Sequence, residues 1–225
     1  NHFGHGAVYF QQQTDKGFSG YEGYDFDHLK TIGSTGSPLS ADTCKSLQHR
    51  FPNTHIISLS GGTDVCTAFV GGHPEMEVVT GEIQCKMLGA AVEIWNTDGT
   101  QIQHQPGELV LSKPFISMPI YLWGDEDYCL MQESYYSMYP NVWNHGDWAT
   151  ENERGGLIIH GRSDATLNRQ GVRIGTAEIY NLLINQDEIE DSLVIHLTSQ
   201  HIDTLLLFVV LQSNMDEQKI RSQLR

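Results

Sequence analysis

The chain has little positive charge. Lysine and arginine together number 13, against 28 aspartates and glutamates, which gives a formal net charge of −15 over 225 residues. A chain this acidic repels nucleic acid and anionic membranes, so we expect neither as a partner. An anionic ligand would need local cations or backbone amides to overcome the overall field.

Long apolar runs are also missing. The longest, Leu205–Leu211, has seven residues, whereas roughly 20 are needed to cross a bilayer. The beginning of the chain has no signal-peptide pattern. With 39% apolar and 18% charged residues, the composition is typical of a globular protein in water. We therefore expect a cytosolic protein.

Cysteine is sparse. The four cysteines, Cys44, Cys66, Cys85 and Cys129, form no Cys-x-x-Cys pair, which argues against a zinc site and against a thioredoxin-type redox pair. In a chain of this length they indicate reduced thiols in the core of a cytosolic protein. The eleven histidines are scattered, without acidic or cysteine partners at ligand spacing, so they predict no metal cage.

Hydrophobic patterning predicts an α/β core with a β-rich subdomain. The first 33 residues show little periodicity, and Ser40 is placed to cap a helix at 41–49. Thr97-Asp-Gly99 is typical of a hairpin turn between strands at 91–96 and 100–103. Further strands are predicted at 56–60, 65–70, 108–112 and 157–160.

The pattern changes after Gly161. A helix at 177–186, an alternating strand at 192–198 and an apolar strand at 205–211 predict a small α+β unit. We expect a boundary at Asp164, between domains 1–163 and 164–225. A last helix, entered through Asn214 with a capping-box Glu217, continues to the final residue, so we interpret the chain as a fragment.

Charged residues lie among glycines in the segment 161–175, directly before the predicted helix. A packing core does not need this arrangement, which suits a tight hinge whose side chains reach a phosphorylated ligand. Guanidinium groups such as those of Arg162 and Arg173 are planar and permanently charged, which fits phosphate better than lysine does. The alternative is a salt-bridged linker between domains.

Other segments combine glycine with polar side chains. In Ser34-Thr-Gly-Ser-Pro38 the glycine lets the backbone approach a flat ligand. Ser60-Gly-Gly-Thr-Asp64 follows a predicted strand, and such a loop can wrap a phosphate with backbone amides and one hydroxyl. In Trp143-Asn-His-Gly-Asp147 the carboxylate can accept two hydroxyl groups. Taken singly, each segment is equally explained as an ordinary turn.

In this order, and together with Lys113-Pro-Phe-Ile-Ser-Met-Pro119, these segments resemble the adenylate-forming superfamily of acyl-CoA synthetases, over about residues 1–212. The details most resemble the members that activate acetoacetate, and Asn168 stands where many members carry lysine. The resemblance implies the C-terminal part of a large adenylate-forming domain, followed by a small mobile domain. Synthetases for acetate or propionate, and a non-catalytic nucleotide-binding protein of this fold, stay open as alternatives.

The resemblance also implies site residues for ATP or AMP, Mg²⁺ and coenzyme A. The adenine ring is lined by Gly36, Ser37 and Pro38; the phosphates meet Gly61, Gly62 and Thr63; Asp64 holds Mg²⁺; Asp147 accepts the ribose hydroxyls; Arg162 contacts ribose or phosphate; Asp164 is the hinge; Gly171 leaves room for pantetheine; and Arg173 faces the α-phosphate or the coenzyme phosphate. Thr63, Asp64 and Arg173 are the candidate catalytic residues.

Three positions depart from the pattern of that family. Ser60 stands where an aromatic residue is usual, Asp64 where glutamate is usual, and His145 where threonine is usual. We interpret His145 as a structural histidine, Gly107-Glu-Leu109 as structural, and the aromatic residues Tyr135, Tyr136, Tyr139 and Trp143 as core packing. The family's lysine-bearing phosphate loop and terminal catalytic lysine are not found, so we expect residues 1–225 alone to be inactive.

Overall fold

The computed structural model describes residues 1–163, 167–169, 172–174, 179–180, 182–183, 186, 188–199 and 202–212. By internal contacts the chain divides into two compact units, Asn1–Ser163 and Asp164–Arg225. The first unit holds two hydrophobic cores and most of the glycine-rich segments discussed above.

The first unit begins with a three-stranded parallel sheet of order β1-β2-β3. Its strands are β1 (His2–Gly6), β2 (Thr31–Thr35) and β3 (His55–Ser58), and the helices between them are α1 (Ala7–Asp15) and α2 (Ala41–Arg50). Because the strands are parallel, their carboxyl ends meet at one edge, which is where ligands bind in open α/β sheets.

Local sequence explains helix α2. Ser40 has an extended backbone and its hydroxyl accepts a hydrogen bond from the Thr43 amide at 3.2 Å, which satisfies one free amide of the first turn. Cys44 and Leu47, three residues apart, are buried in a core that also holds Ile32 of β2 and Ile56 of β3. The predicted helix and its cap are thereby confirmed.

Two antiparallel sheets complete the first unit. The smaller has the order β4-β5-β6 and the larger the order β10-β9-β8-β7. Their strands are β4 (Ser60–Gly62), β5 (Thr67–Gly71), β6 (Cys85–Lys86), β7 (Val92–Trp95), β8 (Gly107–Leu111), β9 (Trp143–Glu151) and β10 (Leu157–Arg162). One hydrophobic core joins both sheets, with Phe69, Leu109 and Leu157 fully buried.

A short helical segment lies between β8 and β9. It consists of α3 (Cys129–Met131) and a π-helical turn at Gln132–Tyr136. The carboxylate of the buried Asp125 accepts hydrogen bonds from the amides of Leu130 and Met131, both at 2.8 Å. The turn stacks the ring of Tyr135 on that of the buried Trp143, with 3.6 Å between centroids. The predicted aromatic packing is found.

The second unit also mixes helix and strand. Its described strands are β11 (Leu167–Arg169), β12 (Val172–Ile174), β13 (Ile189–Ser199) and β14 (Ile202–Leu211), and they form two antiparallel hairpins, β11-β12 and β13-β14. The backbone is helical at Ile179, Tyr180, Leu182 and Leu183, inside the predicted helix. The Tyr180 hydroxyl accepts a hydrogen bond from the Val194 amide at 3.1 Å. The predicted last helix lies outside the described residues.

Some predicted elements are wrong. Residues 1–33, which show little periodicity, contain β1, α1 and the start of β2. The predicted hairpin partner of β7, residues 100–103, is only partly formed: Gln101 bridges Trp95, and the Ile102 amide donates to the carbonyl of Ile94 at 2.8 Å, while β8 pairs with β7 as well. The turn itself forms, with Gly99 at φ +83°.

Among the residues that the structure describes, no helix is long and apolar enough to reach across a lipid bilayer.

All four cysteines are free thiols. Burial raises the pKa of Cys44 to about 11, so this thiol stays protonated in its apolar surroundings. Cys44 is therefore a core thiol as predicted, whereas Cys66 and Cys129 are exposed, so the prediction of a core position is wrong for those two.

Candidate functional site

Two of the predicted motifs begin at the carboxyl edge of the parallel sheet. The segment 36–38 directly follows β2, and Ser60 follows β3 after a single residue. Gly36 has φ +86°, a conformation that favours glycine. The Leu59 amide donates to the carbonyl of Ser34 at 3.0 Å, and this bond holds the ends of β2 and β3 together. Both motifs therefore reach the same side of the sheet.

Asp147 lies at the centre of the site. It is on β9 and only 7% exposed. One carboxylate oxygen, Oδ2, accepts the hydroxyl of Ser60 at 2.6 Å, and the other, Oδ1, accepts Nη1 of Arg162 at 3.2 Å. Arg162 is the partner of Asp147 in the β9-β10 ladder. Residues from three predicted motifs are thus brought together.

Arg162 is hydrogen-bonded through its guanidinium, and its side chain is partly exposed. Its Nη1 also donates to the carbonyl of His145 at 2.9 Å, yet 54% of the side chain is exposed. Gly146, at φ +78°, makes room for it, because a Cβ there would lie 2.7 Å from Nη2 of the guanidinium. The exposed guanidinium supplies a local cation in an acidic chain, as an anionic ligand requires.

His145 is buried beneath this cluster. Its ring packs edge-on against Phe69 at 4.8 Å between centroids, and its Nε2 lies 3.7 Å from Oδ2 of Asp147. Burial lowers the pKa of His145, and the positive charge of Arg162 lowers it further. The negative charge of Asp147 and a hydrogen bond to the Gly61 backbone raise it, but the net shift is downward. The ring is therefore neutral at pH 7, as expected of a structural histidine.

The turn between β4 and β5 presents the next pair of predicted residues. Thr63 and Asp64 are both exposed. The hydroxyl of Tyr135 donates a hydrogen bond to Asp64, although the two residues are 71 positions apart. Burial, together with the neighbouring Asp64, raises the pKa of Tyr135 to about 12, so the phenol keeps its proton and remains a donor at neutral pH.

The surroundings of Asp64 fit one kind of metal site. No cluster of three metal-ligating side chains occurs in the part of the chain that the structure describes. Mg²⁺ is usually held by one or two carboxylates, with substrate phosphates and waters completing its shell. An exposed carboxylate with one oxygen on Tyr135 suits such a phosphate-bridged ion, and does not suit a cage built from protein alone.

The double glycine requires a correction. The sequence predicts a loop at Gly61 and Gly62, but both lie in β4, and the turn starts only at Thr63. A Cβ on Gly61 would come within 2.0 Å of the carbonyl oxygen of Thr67. A Cβ on Gly62 would come within 3.2 Å of Cε1 of His145. The glycines are needed because a strand and a histidine pack directly against them.

Glu108, which the sequence interpretation assigns to structure, is buried next to the site. It is 1% exposed, and its carboxylate accepts the hydroxyl of Ser163. The amide of Ser163 donates to the carbonyl of Gly146 at 2.8 Å. The last residue of the first unit is thus bonded to both β8 and β9. A charged residue inside an apolar strand is the signal that marks such a position, because glutamate is rarely buried without a partner.

Three predicted residues cannot be placed in the site. Asp164 and Gly171 lie outside the described residues, and Arg173 is described only as part of strand β12, without its side chain. Their roles stay predictions.

The buried histidine makes the folding stability of the protein depend on pH. Because the folded pKa of His145 is lowered from 6.5, the unfolded chain binds a proton that the folded chain resists. The contribution of the neutral His145 to folding stability is fully present above pH 6.5, and it decreases as the pH falls toward the pKa of His145 in the folded protein. We expect the free energy of unfolding to drop more steeply between pH 7 and pH 5 in the unaltered protein than in His145→Gln. Urea denaturation at each pH measures both slopes, and equal slopes would contradict the assignment.

Comparison with known proteins adds a family and close relatives. The family model described as AMP-binding enzyme matches residues 6–122. The "Acetoacetyl-coenzyme A synthetase" of Rhizobium meliloti (strain 1021) is 41% identical over 95% of this chain and 33% of its own length. The "Acetoacetyl-CoA synthetase" of Rattus norvegicus is 41% identical over 85% of this chain and 29% of its own. The chain spans about a third of the length of the curated relatives it matches.

Solved structures give the same picture. The acetoacetyl-CoA synthetase from Streptomyces lividans matches with a TM-score of 0.86 and 39% identity, over 96% of this chain and 33% of that one. The anthranilate CoA ligase AuaEII in complex with anthranoyl-AMP matches with a TM-score of 0.77 over 99% of this chain and 40% of that one, at 16% identity. The second likeness concerns the fold alone.

Proposed function

The chain belongs to the AMP-binding enzyme family, and from that premise we propose that it is part of an acetoacetate–CoA ligase. The reaction joins acetoacetate to coenzyme A with ATP, and it yields acetoacetyl-CoA, AMP and pyrophosphate. Support for this acid over acetate or propionate comes from the relatives, which share about 40% identity and carry the name of the acetoacetyl-CoA enzyme.

The observation that carries the proposal is the Asp147 carboxylate held between Ser60 and Arg162. A carboxylate has about four lone-pair positions, and these two contacts use two of them. The remainder can accept the two vicinal hydroxyls of a ribose. The exposed guanidinium of Arg162 beside it can pair with ribose or phosphate oxygens.

The other residues receive roles around this centre. The backbone at Gly36, Ser37 and Pro38 lines the adenine ring, at the sheet edge that Asp147 also reaches through Ser60. Thr63 is exposed on the turn after β4, so its hydroxyl is free to reach the α-phosphate. Gly61 and Gly62, although in a strand, bring that turn to the site.

The chemistry needs no covalent nucleophile from the protein. The acetoacetate carboxylate attacks the α-phosphorus and pyrophosphate leaves; the thiol of coenzyme A then attacks the acyl carbon and AMP leaves. Positioning and stabilisation of the phosphoryl charge are the tasks that remain for side chains. Thr63 and Arg162 orient the nucleotide, and Arg173 is proposed to face the α-phosphate or the coenzyme phosphate.

A bound Mg²⁺ would be held by Asp64 together with substrate phosphates, and it would offset their negative charge. Tyr135 keeps one oxygen of Asp64 engaged through its hydroxyl, which fixes the direction of the carboxylate.

The proposal extends to the second unit. Asp164 is the hinge about which the small domain, 164–225, changes orientation between the two steps, and Gly171 leaves a passage for pantetheine. Support comes from the bonds that fix Ser163 to Glu108 and Gly146, since a pivot needs a firm base immediately before it. The cytosol is the proposed location, in keeping with four free thiols.

The test is substrate-dependent release of AMP by the full-length ligase that contains these residues. We expect release with acetoacetate to exceed that with acetate or propionate by at least about tenfold, because a site built to pair the keto oxygen rejects acids that lack it. Equal rates with acetate would favour the alternative ligase. Failure to bind AMP in isothermal titration would favour a non-catalytic protein of this fold. Pyrophosphate exchange by residues 1–225 alone is expected to be absent, and robust exchange would contradict that expectation.

A further inference from the structure

Ser60 makes the shortest hydrogen bond to the carboxylate at the centre of the site. Its hydroxyl lies 2.6 Å from Oδ2 of Asp147, against 3.2 Å from Arg162 to Oδ1. Hydrogen bonds to an ionised acceptor are shorter and stronger than those between neutral groups. Ser60 is therefore a direct hydrogen-bond partner of Asp147 alongside the arginine, although nothing in its own motif predicts this contact.

The backbone around Ser60 directs its side chain to Asp147. Ser60 pairs with Val70, but the next residue, Gly61, pairs with Ala68, so β4 and β5 shift register at this point. Such an irregularity re-aims a side chain that a regular strand would place elsewhere. Gly61 permits the close approach of β5 that the shift requires. The contact is thus built into the sheet, and is not a chance meeting of two surface groups.

The remaining neighbours of Asp147 do not duplicate this hydrogen bond. Nε2 of His145 lies 3.7 Å from the same oxygen, beyond hydrogen-bond distance, and its ring stays neutral because it is buried. Arg162 engages the opposite oxygen. Without the Ser60 hydroxyl, the carboxylate is held on one side only and can rotate about its last bond.

We propose that Ser60 is a positioning residue for nucleotide recognition: its hydroxyl fixes the Asp147 carboxylate in the orientation that accepts both ribose hydroxyls. This inference rests on the proposed function. It assigns a task to a position where the related enzymes usually carry an aromatic ring, and the task concerns the ribose, not the base.

A purely structural role for Ser60 makes a different prediction. If the hydroxyl only stabilises the sheet, its removal weakens every nucleotide equally. If it orients Asp147 for the ribose, its removal weakens the binding of AMP but leaves the affinity for 2′,3′-dideoxy-AMP unchanged. The dideoxy nucleotide has no ribose hydroxyls that the carboxylate could accept. Comparison of the two nucleotides therefore separates the roles.

The experiment is isothermal titration of AMP and of 2′,3′-dideoxy-AMP into the unaltered protein and its variants. Ser60→Ala is expected to bind AMP about tenfold more weakly, and to bind the dideoxy nucleotide within about twofold of the unaltered protein. Ser46→Ala, a half-buried serine of α2 outside the predicted motifs, is the matched control and is expected to change neither affinity.

A second pair of variants guards against misfolding. The side chains introduced by Ser60→Thr and Ser60→Val are both branched at Cβ and differ in the hydroxyl, so the effect of branching on the strand is common to both variants. We expect the threonine variant to bind AMP within about threefold of the unaltered protein, and the valine variant to bind it about tenfold more weakly than the threonine variant.

The outcomes separate the inference from its premise. If the unaltered protein binds no AMP, the proposed function fails and the inference fails with it. If the unaltered protein binds AMP and the alanine and valine variants keep that affinity, only the inference fails. An equal loss of affinity for both nucleotides in these variants also overturns the inference, because the hydroxyl then only stabilises the sheet.

Discussion

An Asp147→Asn variant is expected to bind AMP about a hundredfold more weakly than the unaltered protein. The amide has nearly the same shape as the carboxylate, but it carries no charge and turns one acceptor oxygen into a donor. That donor faces either the Ser60 hydroxyl or the Arg162 guanidinium, each of which donates to Asp147. The remaining carbonyl oxygen can still accept a ribose hydroxyl, so the expected loss corresponds to about one charge-assisted contact, worth about 1.5–3 kcal/mol.

Titration calorimetry with AMP measures this loss, and thermal unfolding measured alongside separates it from misfolding. Asp42→Asn is the matched control, since Asp42 is an exposed residue of α2 whose ion pair with Lys45 lies at the surface. Exposed pairs contribute about 0–1 kcal/mol, so this control is expected to keep its affinity and its stability. An Asp147→Asn protein that folds and retains AMP affinity within about threefold would contradict the proposal that Asp147 binds the ribose.

Local patterns predicted the elements whose cause is local. Ser40 caps α2 because its own hydroxyl meets an amide three residues on, and this relation is visible in the sequence. The strands at 108–112 and 157–160 are likewise confirmed as β8 and β10, since compact apolar runs bounded by turn residues leave few alternatives.

Strand β9 shows where such patterns end. The sequence leaves an ordinary turn open as an explanation of the segment Trp143–Asp147, whereas the structure has a continuous strand there. The polar residues are tolerated because β8 and β10 pair with both edges of β9 and satisfy its backbone. Pairing partners outweigh local preference in a central strand.

The candidate site could be named from motifs but not assembled from them. Ser60 and Asp147 are 87 residues apart, and Asp64 and Tyr135 are 71 apart. The sequence analysis notes Ser60 only because an aromatic residue is usual at that position, and it interprets Tyr135 as part of the core packing. Only the fold shows that each of them donates a hydrogen bond to a carboxylate of the site, because no periodicity records contacts at such separation.

A Gly61→Ala variant is expected to lose about 3 kcal/mol of unfolding free energy or more. The added Cβ would lie 2.0 Å from the carbonyl oxygen of Thr67 and 2.5 Å from Cα of Ala68. Both are backbone atoms of β5, which β6 fixes from its other side and which carries the fully buried Phe69. The methyl group cannot be accommodated by the turn of a side chain, so the β4-β5 pairing has to separate.

Gly33→Ala is the matched control for this change. Gly33 also lies in a strand, the central β2, but a Cβ there meets nothing within 4 Å. Alanine in a strand costs less chain entropy than glycine, so the control is expected to be neutral or more stable by up to about 1 kcal/mol. Urea denaturation followed by tryptophan fluorescence measures both variants, with the buried Trp143 as reporter. A Gly61→Ala midpoint equal to that of Gly33→Ala would contradict the close packing of β4 on β5. Because Ser60 and Thr63 flank this contact, the same variant is also expected to bind AMP more weakly, even at temperatures where it remains folded.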